Sequence, residues 1–309
     1  SGLMRSADAV SLIIAPALAG CLVGRIGLEG IILIDFATFL FAVGTLLVVR
    51  FPPVPRTAQE AAERRTFGGD IVFGWRYLWD RPGLFWLMIY FTSFNFLFSI
   101  AYVLLTPLIL SFSTTEALGS VVSAAGAGLL IGSILMTTWG GFKRRVLGAY
   151  WYGIGQAFTL VAMGAQENIL LIALAFLILT IGGPIADASV DAIRMKKVAP
   201  SVQGRVFSTS RMLSWAGVPL AYLIAGPLAD RIFEPAMREG GSLAPTVGQW
   251  IGVGEGRGIG LLFIVAGVLS LLATIAAVAY PRMRHVEDEL PDYLPDPPAT
   301  EPTVAEPAV

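Results

Sequence analysis

Unbroken apolar runs of about 20 residues constrain this chain more than any motif in it. Ile259 to Tyr280 and Ile169 to Ile185 are two of them. In Ile169-Leu-Leu-Ile-Ala-Leu-Ala-Phe-Leu-Ile-Leu179 whole turns carry nothing polar, so the wet face that a soluble amphipathic helix keeps is missing. Hydrocarbon offers no partner to a backbone N–H or C=O, which leaves the helix as the form for such runs. The expected fold is an all-α polytopic membrane protein. Function must then be sought in the few polar groups placed where lipid tolerates them poorly.

Composition narrows the classes further. Charged residues make up 14% and hydrophobic residues 55%, against about 25% charged in an average soluble domain, and mean hydropathy is +0.73. A disordered chain is excluded, and so is a nucleic-acid partner, because a net charge of -1 gives no basic field for phosphates. The 34 glycines and 19 prolines suit membrane helices that pack closely and bend. Cys21 is the single cysteine and His285 the single histidine, so neither a disulfide nor a metal cluster is expected, and no cofactor. No Gly-rich phosphate loop with Lys-Ser/Thr and no Ser/His/Asp or Cys/His set occurs. The chain is not expected to be an enzyme.

Cutting at polar, Gly or Pro punctuation predicts about eight transmembrane helices, over residues 8–27, 30–50, 84–112, 118–141, 146–165, 168–193, 211–232 and 259–280. Pro107 is the expected kink of the third. An even number puts both termini on one side. Of the 21 Lys and Arg, only Arg25, Arg231, Arg238 and Arg257 fall on the opposite side, so both termini are expected to be cytoplasmic, in a cell membrane of the bacterial inner-membrane kind. Within 51–82, Phe67, Ile71, Trp75, Leu78 and Trp79 recur at helical spacing. They predict an amphipathic helix on the cytoplasmic surface or against the helix ends. The Gly-rich loop 233–258, with Trp250, is expected to cap the outer mouth. The acidic, Pro-rich 282–309, with Glu287, Asp288 and Glu289, is expected to be a disordered cytoplasmic tail. No signal peptide is visible and Ser1 is not a start methionine. The chain is expected to be the later part of something longer.

Four stretches carry a family likeness. Ser11-Leu-Ile-Ile-Ala-Pro-Ala-Leu-Ala-Gly20 resembles the fifth-helix antiporter motif of the major facilitator superfamily, with Ala15, Pro16 and Gly20 at its centre and Ser11, Ala15 and Ala19 in place of glycines. Small residues there allow close packing, and the proline bends the helix. Residues 69–82 resemble the segment before helix seven in that superfamily's macrolide and enterobactin exporter branch, while 198–208 and 225–230 resemble its helix ten to eleven region. The resemblance implies that Pro16 and Pro227 are counterparts in two parallel half repeats. The resemblance implies a partial major facilitator fold, helices five to twelve: 1–50 the last two helices of the first half-bundle, 51–82 the central loop, 83–281 the second half-bundle of six. It also implies a secondary active transporter, proton-coupled, exporting a drug-like or siderophore-like small molecule. An importer of the same fold is the first alternative, and a transport-dead membrane scaffold or sensor the second. Helices one to four and their Gly-x-x-x-Asp-Arg loop are missing, and the counterpart loop 140–145 keeps Lys143, Arg144 and Arg145 without an acid. A fragment of a longer transporter is expected, or a chain that needs a partner subunit beside its membrane lipids.

The polar candidates each carry two readings. Asp35 is a proton or substrate group, or a carboxylate reaching the outer headgroups, which its depth favours. Asn95, Tyr102 and Gln156 are substrate-binding candidates. Asn95 is equally an interhelical tie, and the aromatic pair Trp151 and Tyr152 beside Gln156 equally an interfacial belt. Asp187, Asp191 and Arg194 share one helix face, as a gating ion-pair set or as a solvated helix end. Gly119, Ser123, Ala125, Gly126, Gly128 and Gly132 are read as a close-packing face. Glu116 and Glu167 are loop residues without an assigned role.

Overall fold

The computed structural model describes Gly30, residues 33–45 and residues 67–289. The first predicted span, with Ala15, Pro16 and Gly20, lies outside the described residues. The described chain is helical, with α1 (Leu33–Thr45), α2 (Phe67–Trp79), α3 (Pro82–Leu110), α4 (Thr115–Trp139), α5 (Val146–Ala165), α6 (Ile169–Lys197), α7 (Gln203–Leu228), α8 (Arg257–Ala279), α9 (Pro281–Arg284) and α10 (Val286–Glu289). Among the described residues six helices are long and apolar enough to cross a membrane, α7 with its extension to Met237 being one. The fold is all-α, as read from the hydropathy.

Local chemistry sets the boundaries. Pro82 opens α3, where its missing N–H costs nothing. The Thr114 hydroxyl accepts from Ala117 N at 3.4 Å to cap α4, and the Asn168 side chain accepts from Leu171 N at 3.1 Å to cap α6. Gly140 ends α4 at φ 77°, a left-handed turn that only glycine adopts freely. Helix α7 carries Pro219 and Pro227 and widens into a π-type turn at Ala229–Phe233. It also starts eight residues before the predicted 211. Its polar first turns escape a hydropathy reading because they pack on α2, where Gly74 leaves room for Thr209 and Arg205.

Alternating direction gathers one set of helix ends with 143–145, 196–197 and 282–284, here termed the basic end, and the opposite set with 111–114, 166–168 and 238–256, the loop end. The main neighbours run α4, α6, α5, α8, α3, α7, an open ring whose free ends are α4 and α7. One apolar core lies toward the loop end, with Ile109, Leu160, Ile172 and Phe263, and one toward the basic end, with Leu78, Leu87, Met88 and Ile193. A Cβ on Gly132 of α4 would stand 2.2 Å from Ile181 O of α6, and one on Gly164 of α5 2.1 Å from Gly260 O of α8. Gly119 meets nothing within 4 Å, so the small face of α4 is a packing seam only in part.

Two expectations need correction. The 67–79 helix lies against the helix ends as one reading had it, but it buries Gly74 and Leu78, while Trp75 and Trp79 stay exposed, edge-on to Phe85 at 5.9 and 5.1 Å. The tail is ordered as far as 289. Met283 and Val286 are buried in the basic-end core, the Glu287 carboxylate accepts from Val146 N at 2.6 Å, and Lys197 Nζ donates to the Glu287 carbonyl. An acidic run reads as disordered only until its apolar partners and the helix N-terminus it caps are known. Residues 290–309 lie outside the described residues.

Candidate functional site

Arg194 holds the polar centre of the bundle. It lies in the last turns of α6 and is buried at 8% exposure, because the guanidinium points between helices rather than to the surface. One terminal nitrogen contacts Asp191 Oδ1 at 3.2 Å, three residues back. The other donates to Ser214 Oγ of α7 at 3.2 Å and to Met88 Sδ of α3 at 2.8 Å, and Nε also faces that sulfur at 3.2 Å. Thioether sulfur is a weak acceptor, so Asp191, on a half-exposed side chain, supplies a full countercharge by direct contact. Asp187 stands one turn before Asp191 on the same helix and is half-buried.

The same point of α7 receives a second helix. Asn95 Nδ2 donates to Ser214 O at 3.2 Å, and the Thr92 hydroxyl to Leu213 O at 3.0 Å. Two candidates read separately from sequence, Asn95 and Arg194, thus meet on one serine, Asn95 on its carbonyl and Arg194 on its hydroxyl. Ser210, one turn earlier, is buried and its hydroxyl has no hydrogen-bond partner. Ser214 and Met88 were not legible as functional residues. A serine in an apolar helix and a core methionine look like filler until the arginine that uses them is placed.

Gln156 sits elsewhere. It is wholly buried, its Nε2 donating to Phe94 O at 3.2 Å and its Oε1 accepting from Ser270 at 3.4 Å, so it ties α3, α5 and α8. Tyr90 repeats the tie one layer on, its hydroxyl 3.0 Å from Thr274 Oγ1. Tyr152 packs edge-on to Phe94 at 5.7 Å while Trp151 points outward and is exposed. Tyr102 is half-exposed and stacks on Phe98, which stacks on Phe176 of α6, an aromatic file open to whatever enters beside it. Asp35 lies on α1, every described residue of which from 33 to 45 is exposed.

Both ends of the bundle are closed by acids to which the sequence assigns no site role. At the loop end, the buried Glu234 accepts from Gly256 N at 3.3 Å and Ile259 N at 3.0 Å, capping α8, and Glu167 pairs with Arg257 at 2.8 Å. Trp250 stands 88% exposed, away from any such closure. At the basic end, the loop that lacks its own acid is met by the last described helix, where Asp288 stands 3.7 Å from Arg144 beside the Glu287 cap. Among the described residues no group of three or more His, Cys, Asp or Glu could hold a metal ion.

Residues 1–222 match the Major Facilitator Superfamily. Macrolide efflux protein A of Streptococcus pyogenes is 27% identical over 237 residues, which is 75% of this chain and 58% of that protein. A protein of the same name from Enterococcus faecalis is 27% identical over 225 residues, 71% of this chain and 69% of that one. Measured against the Streptococcus protein, the match covers little more than half its length. No solved structure matches.

Proposed function

The chain belongs to the Major Facilitator Superfamily and is a multi-pass membrane protein, and from that premise we propose that it forms the larger part of a secondary transporter that exports a bulky amphipathic molecule against inward-moving protons. The likeness to two macrolide efflux proteins supports both the direction and a macrolide-like substrate class. In this reading the basic end is cytoplasmic, because Lys and Arg concentrate there, and helices supplied by the rest of the protein or by a partner complete the path. Asn95, Tyr102 and the aromatic file beside it line the substrate side, with Gln156 fixing the helices behind. Asp35, Asp187 and Asp191 are the proton or gating candidates, and Ala15, Pro16 and Gly20 carry the antiporter-type motif.

The observation that carries the gate is Arg194, which joins α3, α6 and α7 through Met88, Asp191 and Ser214. Opening the cytoplasmic side must part the contacts from Arg194 to Met88 and Ser214, which cross between helices. Each is worth roughly 1 to 3 kcal/mol, enough to shift a two-state population several-fold to a hundredfold. Asp191 and Asp187, one turn apart beside Arg194, are where an inward-moving proton would couple to that hold. Ser210, buried and unpaired one turn from Ser214, offers the guanidinium a second acceptor if α7 slips by one turn.

The test is uptake of a radiolabelled macrolide into inverted membrane vesicles from cells expressing the gene that encodes this chain. Uptake should follow an imposed proton gradient and collapse with an uncoupler. Uptake indifferent to the gradient would refute coupling, and no uptake at all would favour a scaffold or sensor.

A further inference from the structure

Between α3 and α8, at the basic end, lies a cleft of about 350 Å³ walled by Trp86, Ile89, Ser93, Ala276, Tyr280 and Met283. That volume is within the range of sites that take small molecules, about 300 to 1,000 Å³. The cleft is separate from the Ser214 junction. Ser93 and Tyr102 stand nine residues apart on α3, which at about 100° per residue puts them on opposite faces, and Thr92, Asn95 and Phe98 turn toward α7 and α6. The cleft therefore opens outward from the ring, where a bilayer presents lipid.

Its two ends differ in chemistry. The depth is hydrocarbon-like apart from the Ser93 hydroxyl, which is occupied by Tyr90 O at 2.6 Å. At the mouth, Trp86 meets Tyr280 edge to face at 6.0 Å with Trp86 exposed, the amphipathic pair that sits at headgroup level. Met283 is buried in the wall, and its neighbours Arg282 and Arg284 are exposed on either side of it. We propose that this cleft binds one anionic phospholipid, an acyl chain lying between α3 and α8 and the headgroup phosphate held by Arg282 and Arg284. An apolar chain fills an apolar groove from within hydrocarbon without desolvation, so the groove alone does not select a lipid. Arg282 and Arg284 do: two residues apart, they leave α9 on the two sides of Met283, each long enough to reach a phosphate seated over that residue, and a net negative headgroup keeps its charge beside them. A zwitterionic lipid with the same chains carries its own cation and gains less.

Native mass spectrometry of the full chain, purified in mild detergent and supplied with phosphatidylglycerol or phosphatidylcholine of identical chains, tests this. One phosphatidylglycerol should stay bound per chain after looser lipid is stripped, and phosphatidylcholine should not. Arg282→Gln with Arg284→Gln should lower that retention about fivefold for each arginine removed, while Ala276→Trp, which fills the groove, should abolish it. As a check that needs no variant, a phosphatidylglycerol carrying a diazirine in its chain should cross-link to peptides containing Trp86 or Ala276. Equal retention of the two lipids, retention indifferent to the arginines, or cross-links confined to other helices would each overturn the proposal.

Discussion

Where α4 crosses α6 and α5 crosses α8, glycine stands at the contact, and where α3 meets α7, hydrogen bonds do. Gly132 and Gly164 bring backbone onto backbone at distances that no Cβ could share, so those helices gain dispersion over many close atoms, which a small slide forfeits together, with the Ser270 bonds to Gln156 and Gly153 added between α5 and α8. The α3–α7 seam instead hangs on Thr92, Asn95 and the Arg194 bridge, each gripping one carbonyl or hydroxyl at 213 or 214. A hydrogen bond can change partner at little cost when another acceptor is near. Helix α7, with two internal prolines and a π-type turn against one internal proline each in α3 and α6, is also the one whose own ladder yields most. The glycine seams read as the rigid frame and α7 as the part built to shift.

The sharpest way to break this contrast is on the frame. Gly132→Leu should cost about 3 kcal/mol or more, since both helices must part, and should appear as a large loss of monodisperse protein and a drop in Tm. Gly119→Leu on the same helix, with nothing within 4 Å, should leave Tm unchanged. Equal damage from both would mean that no seam is special.

Arg194→Met comes next, at roughly 1 to 3 kcal/mol. A Ser210→Cys reporter in a Cys21→Ala background should then label several-fold faster from the basic end, and Arg194→Lys should not restore the slow rate, because one ammonium cannot hold Met88, Asp191 and Ser214 together. A labelling rate identical to the parent's would reduce the bridge to a solvated helix end. Asn95→Ala should lower stability by about 1 kcal/mol or less, read from thermal unfolding in detergent. A substrate role would show besides as a rise in KM. Smallest is Ser210→Ala, within about 0.5 kcal/mol of the parent or slightly stabilising, as an unpaired buried hydroxyl is removed. Slower export by a Ser210→Ala protein of unchanged Tm would mark that hydroxyl as the second resting place of Arg194.

Hydropathy placed the middle of each described span because lipid acts on every residue alike, and Val146–Ala165 was read to its ends. The misplaced boundaries belong to helices that outrun the apolar slab, such as α7, whose polar first turns are explained only by α2. Among site residues, Arg194 and Asp191 were readable as neighbours because their spacing is local. That Arg194 would turn inward onto Met88, 106 residues away, was not. For the same reason Glu234 carries no sequence signal of its role, and Glu287 reads only as part of an acidic tail. Each caps a helix beginning 23 residues later or 141 residues earlier, and no pattern within one turn announces such a partner.

Glu287 has one more consequence, for how the protein is made. Val286, Glu287 and Asp288 leave the ribosome after every described membrane span, yet they supply the cap of α5, a partner for Lys197 and the acid beside Arg144. Insertion can thus be complete while the bundle is still open at its basic end. A nonsense mutation just before Val286 would leave the six described spans inserted with an uncapped helix among them, a product that membrane quality control can recognise and degrade without the deletion touching any described transmembrane residue.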